Sequence, residues 1–399
     1  MKPAGENISV TVILALGLTQ IIGYGTLFYS FSIMAPAMAA DFSWSSEWIF
    51  GIFSGSLLIG GLSAPWSGRW IDRFGAGRMM TGGSVAAAAA LAACATAPDR
   101  SVFILAQLAI GMASTVVLYS AAFALLVQIG PQSAQRNITY LTLMAGLAST
   151  IFWPITTALH VHLSWRQVYL VFAALNLFVC LPIHAWLWRS LRRSRPTDSA
   201  MPLRPVEGSL PPSARGQGFL WMAAGFALES FVNAAVLVHM VPLLGGLGLG
   251  GMAVLVGTVF GPAQVLSRFT NMMLGGDLAP LTLAALSAVL MTAAIALLGL
   301  TAPVFAGAVA FAVIFGFGSG LSSIVQGTLP LALFGSDGYG RRQGKLLAVR
   351  LIVSSSAPFA FAFMMAAIGV VPAMAIIVGL GVLAVFAFIA IGRLAAGRS

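Results

Sequence analysis

The chain has 399 residues, 59% of them hydrophobic and 8% charged, with 20 Lys and Arg against 10 Asp and Glu and a formal net charge of +10. That composition excludes an ordinary water-soluble globule, and with long apolar runs it leaves an all-α membrane bundle, because backbone groups in hydrocarbon must be satisfied within their own segment. The positive charge does not indicate nucleic acid, since the arginines sit in short loops between apolar runs and not on one face with interleaved aromatics.

Polar and Gly/Pro breaks cut the chain into twelve expected transmembrane helices, at about 9–38, 48–67, 79–97, 102–128, 138–160, 167–188, 219–244, 252–274, 280–300, 303–333, 346–368 and 371–394. Most exceed the roughly 20 residues that cross the hydrocarbon. The first follows Lys2 and ends near Ala37 to Ala40, as a secretory signal would. Its apolar stretch is about twice the usual signal core of about 7–15 residues, so it reads as a retained helix. An even number of spans puts both termini on one side. With the termini in the cytoplasm, sixteen of the 20 basic residues lie inside, Arg100 and Arg166 outside, and Arg268 and Arg350 within the membrane. This is the asymmetry of a multi-pass protein of the cell (inner) membrane. The longest polar segment, 189–218, holds six arginines and five prolines. It reads as a flexible cytoplasmic linker between an N-terminal six-helix half, 1–188, and a C-terminal half, 219–399.

Between the second and third spans stand Gly68, Asp72, Arg73, Gly75 and Arg78, expected as a tight charged turn at a membrane face. Gly68 lets two helices approach backbone to backbone. Asp72 suits the positive end of a neighbouring helix or an arginine, Arg73 and Arg78 favour the cytoplasmic surface, and Gly75 permits the reversal. The pattern Gly-x-x-x-Asp-Arg-x-Gly resembles the signature loop of the major facilitator superfamily of secondary transporters. It departs at Ala76 and Gly77, where that family often has basic residues. The resemblance covers the whole chain. It implies two six-helix halves with a substrate site near the midplane, alternating access, and a cytoplasmic gate in which Asp72 contacts the start of the eleventh helix.

Three charges lie where charge is costly, about 2.5–3.5 kcal/mol at a helix centre, and such residues mark pathways. Glu229 falls about ten residues into the seventh span, with Asn233 one turn on. Gln264, Arg268 and Asn271 follow at spacings of four and three along the eighth, one face of a helix. Arg350 shares a face with Ser354 in the eleventh, and Ser319, Ser322, Ser323 and Gln326 form a similar line in the tenth. Two arginines against one glutamate favour an anionic ligand. The alternatives are that the arginines snorkel to the interface and that Glu229 is their structural partner. In the N-terminal half Gln20 shares a face with Tyr24, and Thr115 with Tyr119. The tyrosines can hydrogen-bond a carboxylate while their rings pack on its apolar end.

An arginine in the eighth span with a basic residue in the eleventh is similar to the oxalate/formate antiporter branch, where the two cations hold a small carboxylate. Arg136, Thr139, Ala145 and Gly146 resemble the monocarboxylate-porter pattern, with Thr139 in place of its alanine. Those porters also carry an acid one turn before the eighth-span arginine. Gln264 stands there instead, which leaves Glu229 as the proton-coupling candidate. Drug/proton antiporters are the competing branch, but their fifth-span Gly-Pro is replaced by Trp153-Pro154 and Gln107 occupies the position of their fourth-span arginine. The expectation is therefore a monomeric secondary transporter of a mono- or dicarboxylate, symporter or antiporter. Arg268, Arg350, Gln264, Asn233, Tyr24 and Tyr119 would bind substrate. The alternatives are a drug or lipophilic-cation antiporter held at Glu229 and a transporter-like receptor. No cofactor, metal or enzymatic activity is expected: Cys94 and Cys180 lack ligand spacing, His160, His162, His184 and His239 are scattered, no phosphate-binding glycine loop is present, and no nucleophile shares a spacing with a base.

Overall fold

The computed structural model describes residues 8–193, 205–275 and 278–396. Each expected span is helical: α1 (Val10–Asp41), α2 (Ser46–Phe74), α3 (Ala76–Ala95), α4 (Arg100–Ile129), α5 (Ala134–His162), α6 (Trp165–Ser190), α7 (Arg215–Leu244), α8 (Met252–Leu274), α9 (Pro280–Thr301), α10 (Phe305–Phe334), α11 (Tyr339–Ile368) and α12 (Val370–Ala396). All except α8 are among eleven helices long and apolar enough to cross a membrane. The protein is an all-α, multi-pass membrane protein. Helix starts follow local chemistry. Asp99 caps α4, its Oδ1 accepting from the amides of Ser101 at 2.8 Å and Val102 at 3.0 Å. Ser164 and Gln167 form a reciprocal capping box at α6.

Four spans are interrupted, which apolar periodicity does not reveal. A π-turn interrupts α1 over Gly25–Tyr29 and another interrupts α6 over Asn176–Cys180. Asn176 Nδ2 donates to Thr26 Oγ1 at 3.0 Å and ties the two turns together. α4 breaks at Leu118, which is extended at ψ −163°, and α5 breaks at Gly146 and Leu147. The break in α4 corrects the expected shared face of Thr115 and Tyr119. Thr115 Oγ1 meets Ser67 Oγ of α2 at 2.7 Å, whereas the Tyr119 ring lies 4.7 Å from that of Tyr24.

The chain forms two compact units, Met1–Val206 with Ser336–Ala348, and Glu207–Gly335 with Val349–Ser399. The first ten residues of α11 thus belong to the first unit. In that unit Met34, Leu91, Phe103 and Phe172 are fully buried. One end is pinned by the two arginines expected outside. Arg166 pairs with Asp41 at 3.0 Å, and Arg100 donates to the Phe42 carbonyl at 2.6 Å. Of the expected linker, residues 194–204 lie outside the described residues. Its described end is held by backbone bonds, not loose, with the amides of Ser209 and Leu210 donating to the carbonyls of Ala332 at 2.9 Å and Leu333 at 3.0 Å.

The core of the second unit is built on Val236, Phe311, Phe315, Phe361 and Ile377. Glycines on α10 set its packing. A Cβ at Gly320 would lie 2.5 Å from the Gln264 carbonyl of α8, and one at Gly318 would lie 2.9 Å from the Ser287 carbonyl of α9. Small residues allow this approach where lipid offers no hydrophobic drive between helices. Gly320→Ala is expected to destabilise by about 1–3 kcal/mol through overpacking. Gly379→Ala, with open space around it, should be near neutral. Equal melting temperatures for the two variants in detergent would refute the close approach.

Candidate substrate site

In the second unit the polar faces of α8 and α10 meet as their spacing requires. Gln264 Nε2 donates to Ser319 Oγ at 3.0 Å, and one turn on, Arg268 Nε donates to Ser323 Oγ at 2.8 Å. Both steps are four residues, so the two stripes run in register. Arg268 is 4% exposed within the protein, and its Nη1 has no hydrogen-bond partner. It does not snorkel. No carboxylate among the described residues lies within ion-pair distance of it.

Glu229 lies fourteen residues beyond Arg215, about 21 Å along α7 at 1.5 Å per residue, because the helix starts before the expected span. It is 3% exposed, and its Oε1 accepts from Ser287 Oγ of α9 at 2.6 Å. Ser322 and Arg350 are near enough to act on the carboxyl, yet no donor meets the buried Oε2 with hydrogen-bond geometry. Arg350 Nε donates to Ser230 Oγ, the residue after Glu229, at 3.1 Å. Three serines therefore accompany the charges: the consecutive Ser322 and Ser323 of α10 lie beside Glu229 and hold Arg268, respectively, and Ser230 of α7 holds Arg350. Asn233 Oδ1 and Asn271 Oδ1 are also buried without partners.

In the first unit Tyr24 and Tyr119 stand ring to ring, and Phe123 stacks on Tyr119 at 4.9 Å. Gln20 Nε2 donates to the Val117 carbonyl at 2.8 Å, an acceptor beside the Leu118 break. The same interruption thus positions both the glutamine and the tyrosine pair.

The signature stretch is mostly helix, which corrects the expected turn. α2 continues through Phe74, and the reversal is confined to Gly75, at φ 87° and ψ 140°. Charged residues end the apolar run but do not end the hydrogen-bonded helix. Asp72 reaches the start of α11, with Oδ1 accepting from the Gly340 amide and Oδ2 from the Arg341 amide, both at 2.8 Å. Arg73 and Arg78 lie against the Phe74 ring, at 5.2 and 5.8 Å from its centroid. A Cβ on Gly68 would sit 2.3 Å from the Gly340 carbonyl, and one on Gly344 would sit 2.3 Å from that of Ala64. Glycines on both helices make the crossing possible.

The profile of the Major Facilitator Superfamily matches residues 16–362. The chain belongs to this superfamily, whose members are transporters. Three solved members share its fold. They are the human organic anion transporter MFSD10 (TETRAN), with TM-score 0.72, 15% identity, and coverage of 95% of this chain and 98% of that one; FucP in the outward conformation, at 0.68, 15%, 98% and 99%; and the proton:xylose symporter XylE bound to 6-bromo-6-deoxy-D-glucose, at 0.68, 13%, 95% and 95%. At such identities the likeness is one of fold. Among curated proteins, none matches the sequence.

For this superfamily member, reading the sequence missed the partners: Ser230, Ser287, Gly340, Gly344 and Gln128. Gln128 closes the Gly75 reversal, with Oε1 accepting from the Ala76 amide at 2.8 Å and Nε2 donating to the Ile71 carbonyl at 3.2 Å. One side chain thus satisfies the end of α2 and the start of α3.

Proposed function

We propose that this transporter carries a small organic anion, a mono- or dicarboxylate, by alternating access. It would do so as a monomer in the cell (inner) membrane with both termini cytoplasmic, and with proton coupling or antiport. The observation that supports the reading is the buried Arg268 guanidinium, held by one serine and left with an unpartnered Nη1. A buried charge without a counter-ion costs several kcal/mol, and a ligand carboxylate supplies the missing charge in bidentate form. Arg350 acts as the second cation, Gln264 and Asn233 orient the substrate, and Tyr24 with Tyr119 forms a substrate-contacting surface of the first unit. Glu229 takes up and releases the coupling proton. The branch resemblance of the eighth- and eleventh-span cations supports an anion, as does the fold likeness to a human organic anion transporter. Gly68, Asp72, Arg73, Gly75 and Arg78 form the gate.

A second reading is favoured by the unsatisfied Oε2 of Glu229: a drug or lipophilic cation bound at that carboxylate. Thermal unfolding of purified protein against carboxylates and lipophilic cations separates the two. A ligand at about 100 times its Kd adds about 2.7 kcal/mol. Stabilisation by a carboxylate that persists in Glu229→Gln is the expected result. Stabilisation by cations alone, lost in Glu229→Gln, would replace the anion with the cation.

A further inference from the structure

Beside the Asp72 contact the first unit holds a cavity of about 470 Å³, lined by Arg69, Arg73, Arg341, Asp72, Asp337 and Gln128 together with Ser336 and Gly338. Three guanidiniums thus face two carboxylates. Asp72 is already committed, each oxygen accepting a backbone amide at the start of α11. Gln128 is committed as well, spanning the Gly75 reversal. That helix start adds the partial positive charge of its N-terminus. The cavity is therefore a net positive site with unmet demand for an anion.

The surface next to it identifies the source of that anion. Trp66, Trp70 and Phe74 recur every four residues on α2 and are 52%, 51% and 44% exposed. They form one aromatic face on the helix that also carries Arg69 and Arg73. The guanidinium of Arg69 lies 5.7 Å from the Trp66 ring centroid, and that of Arg73 lies 5.2 Å from that of Phe74. Exposed tryptophans at the end of a membrane span sit at headgroup level, where their rings are amphipathic anchors. The planar forks of arginine suit phosphate oxygens. We infer that this cavity binds the phosphate of an acidic membrane phospholipid, whose acyl chains run along the Trp66–Trp70–Phe74 face. Bound there, the lipid joins α2 to the start of α11 through Arg69 and Arg341 and so braces the contact made by Asp72.

The test uses the full chain in bilayers of phosphatidylcholine containing either phosphatidylglycerol or phosphatidylcholine with brominated acyl chains. Tryptophan quenching is read as the difference between the protein and its Trp66→Phe/Trp70→Phe variant. Attraction of about 1 kcal/mol for each of Arg69 and Arg341 at an anionic surface leads to half-quenching by phosphatidylglycerol at a mole fraction lower by about 30-fold. Arg69→Gln/Arg341→Gln, both at exposed positions, should erase the difference while eluting as folded protein. Equal quenching by the two lipids, or a preference unchanged in that variant, would overturn the proposal. Thermal stabilisation by inorganic phosphate in detergent without any lipid preference would assign the cavity to a soluble anion and overturn the lipid.

Discussion

Arg268→Met is expected to raise the melting temperature of the ligand-free protein and to erase its response to carboxylates. The two effects have one cause. The guanidinium is 4% exposed with Nη1 unpartnered, so in the empty protein it is a desolvated charge compensated by a single hydroxyl. Replacing buried ionic groups with apolar ones of similar volume is neutral or stabilising by about 1–4 kcal/mol. The serine left behind is not orphaned, because Ser323 Oγ also donates to the Gly320 carbonyl at 2.7 Å. Ligand binding moves the other way. Losing one partner of a buried charged pair costs about 2–5 kcal/mol, or roughly 30-fold to several thousandfold in affinity. A structural arginine would behave oppositely, its loss lowering the melting temperature and leaving ligand stabilisation intact. Thermal unfolding with and without the stabilising carboxylate reads both quantities in one experiment. A lower apo melting temperature with an unchanged ligand shift would remove Arg268 from the site.

The spans were legible because hydrocarbon enforces a length and a composition, and each expected run became a helix. The buried charges were legible for the same reason, since an arginine or glutamate inside an apolar run has few tolerable environments. The register of α8 on α10 was also present in the sequence, as two stripes spaced by four. What the sequence did not carry were the partners, because they depend on which helices become neighbours. Ser287 is 58 residues from Glu229, and Gly340 is 268 residues from Asp72. Serines and glycines are too frequent here to single out, with 44 glycines in the chain.

Helix ends failed differently. Apolar composition marks where the membrane stops, and Arg69, Asp72 and Arg73 end the apolar run without ending the helix. Leu118 shows the reverse: an apolar residue inside an apolar run is nonetheless extended. The Gln20 side chain and the Tyr24 ring meet the residues flanking that break, so tertiary contact there outweighs local propensity. A shared face inferred from i and i+4 holds only while the helix is continuous, and for Thr115 and Tyr119 it is not.

Gly68→Val is the second large effect expected, and it separates motion from binding. A Cβ at Gly68 would stand 2.3 Å from the Gly340 carbonyl and 3.0 Å from Gly344 Cα. Backbone on the far side cannot rotate away as a side chain would. The crossing of α2 and the start of α11 therefore cannot form in the variant, and the state that contains it is lost. Asp72→Asn is milder. It keeps the crossing and one carbonyl acceptor but removes a charge worth about 0.3–2 kcal/mol at a helix N-terminus. By the conversion of 1.4 kcal/mol to a factor of ten, its turnover falls by up to roughly 30-fold. Gly68→Val should fall further, towards background. Both substitutions lie in the first unit, whereas Arg268, Glu229 and their serines belong to the second, so carboxylate affinity measured by thermal shift should stay within about twofold in both. Flux into vesicles against that affinity gives the decisive comparison. Normal flux in Gly68→Val would show that the close crossing is no part of the transport cycle, and a parallel loss of affinity would show that the contact shapes the binding site itself.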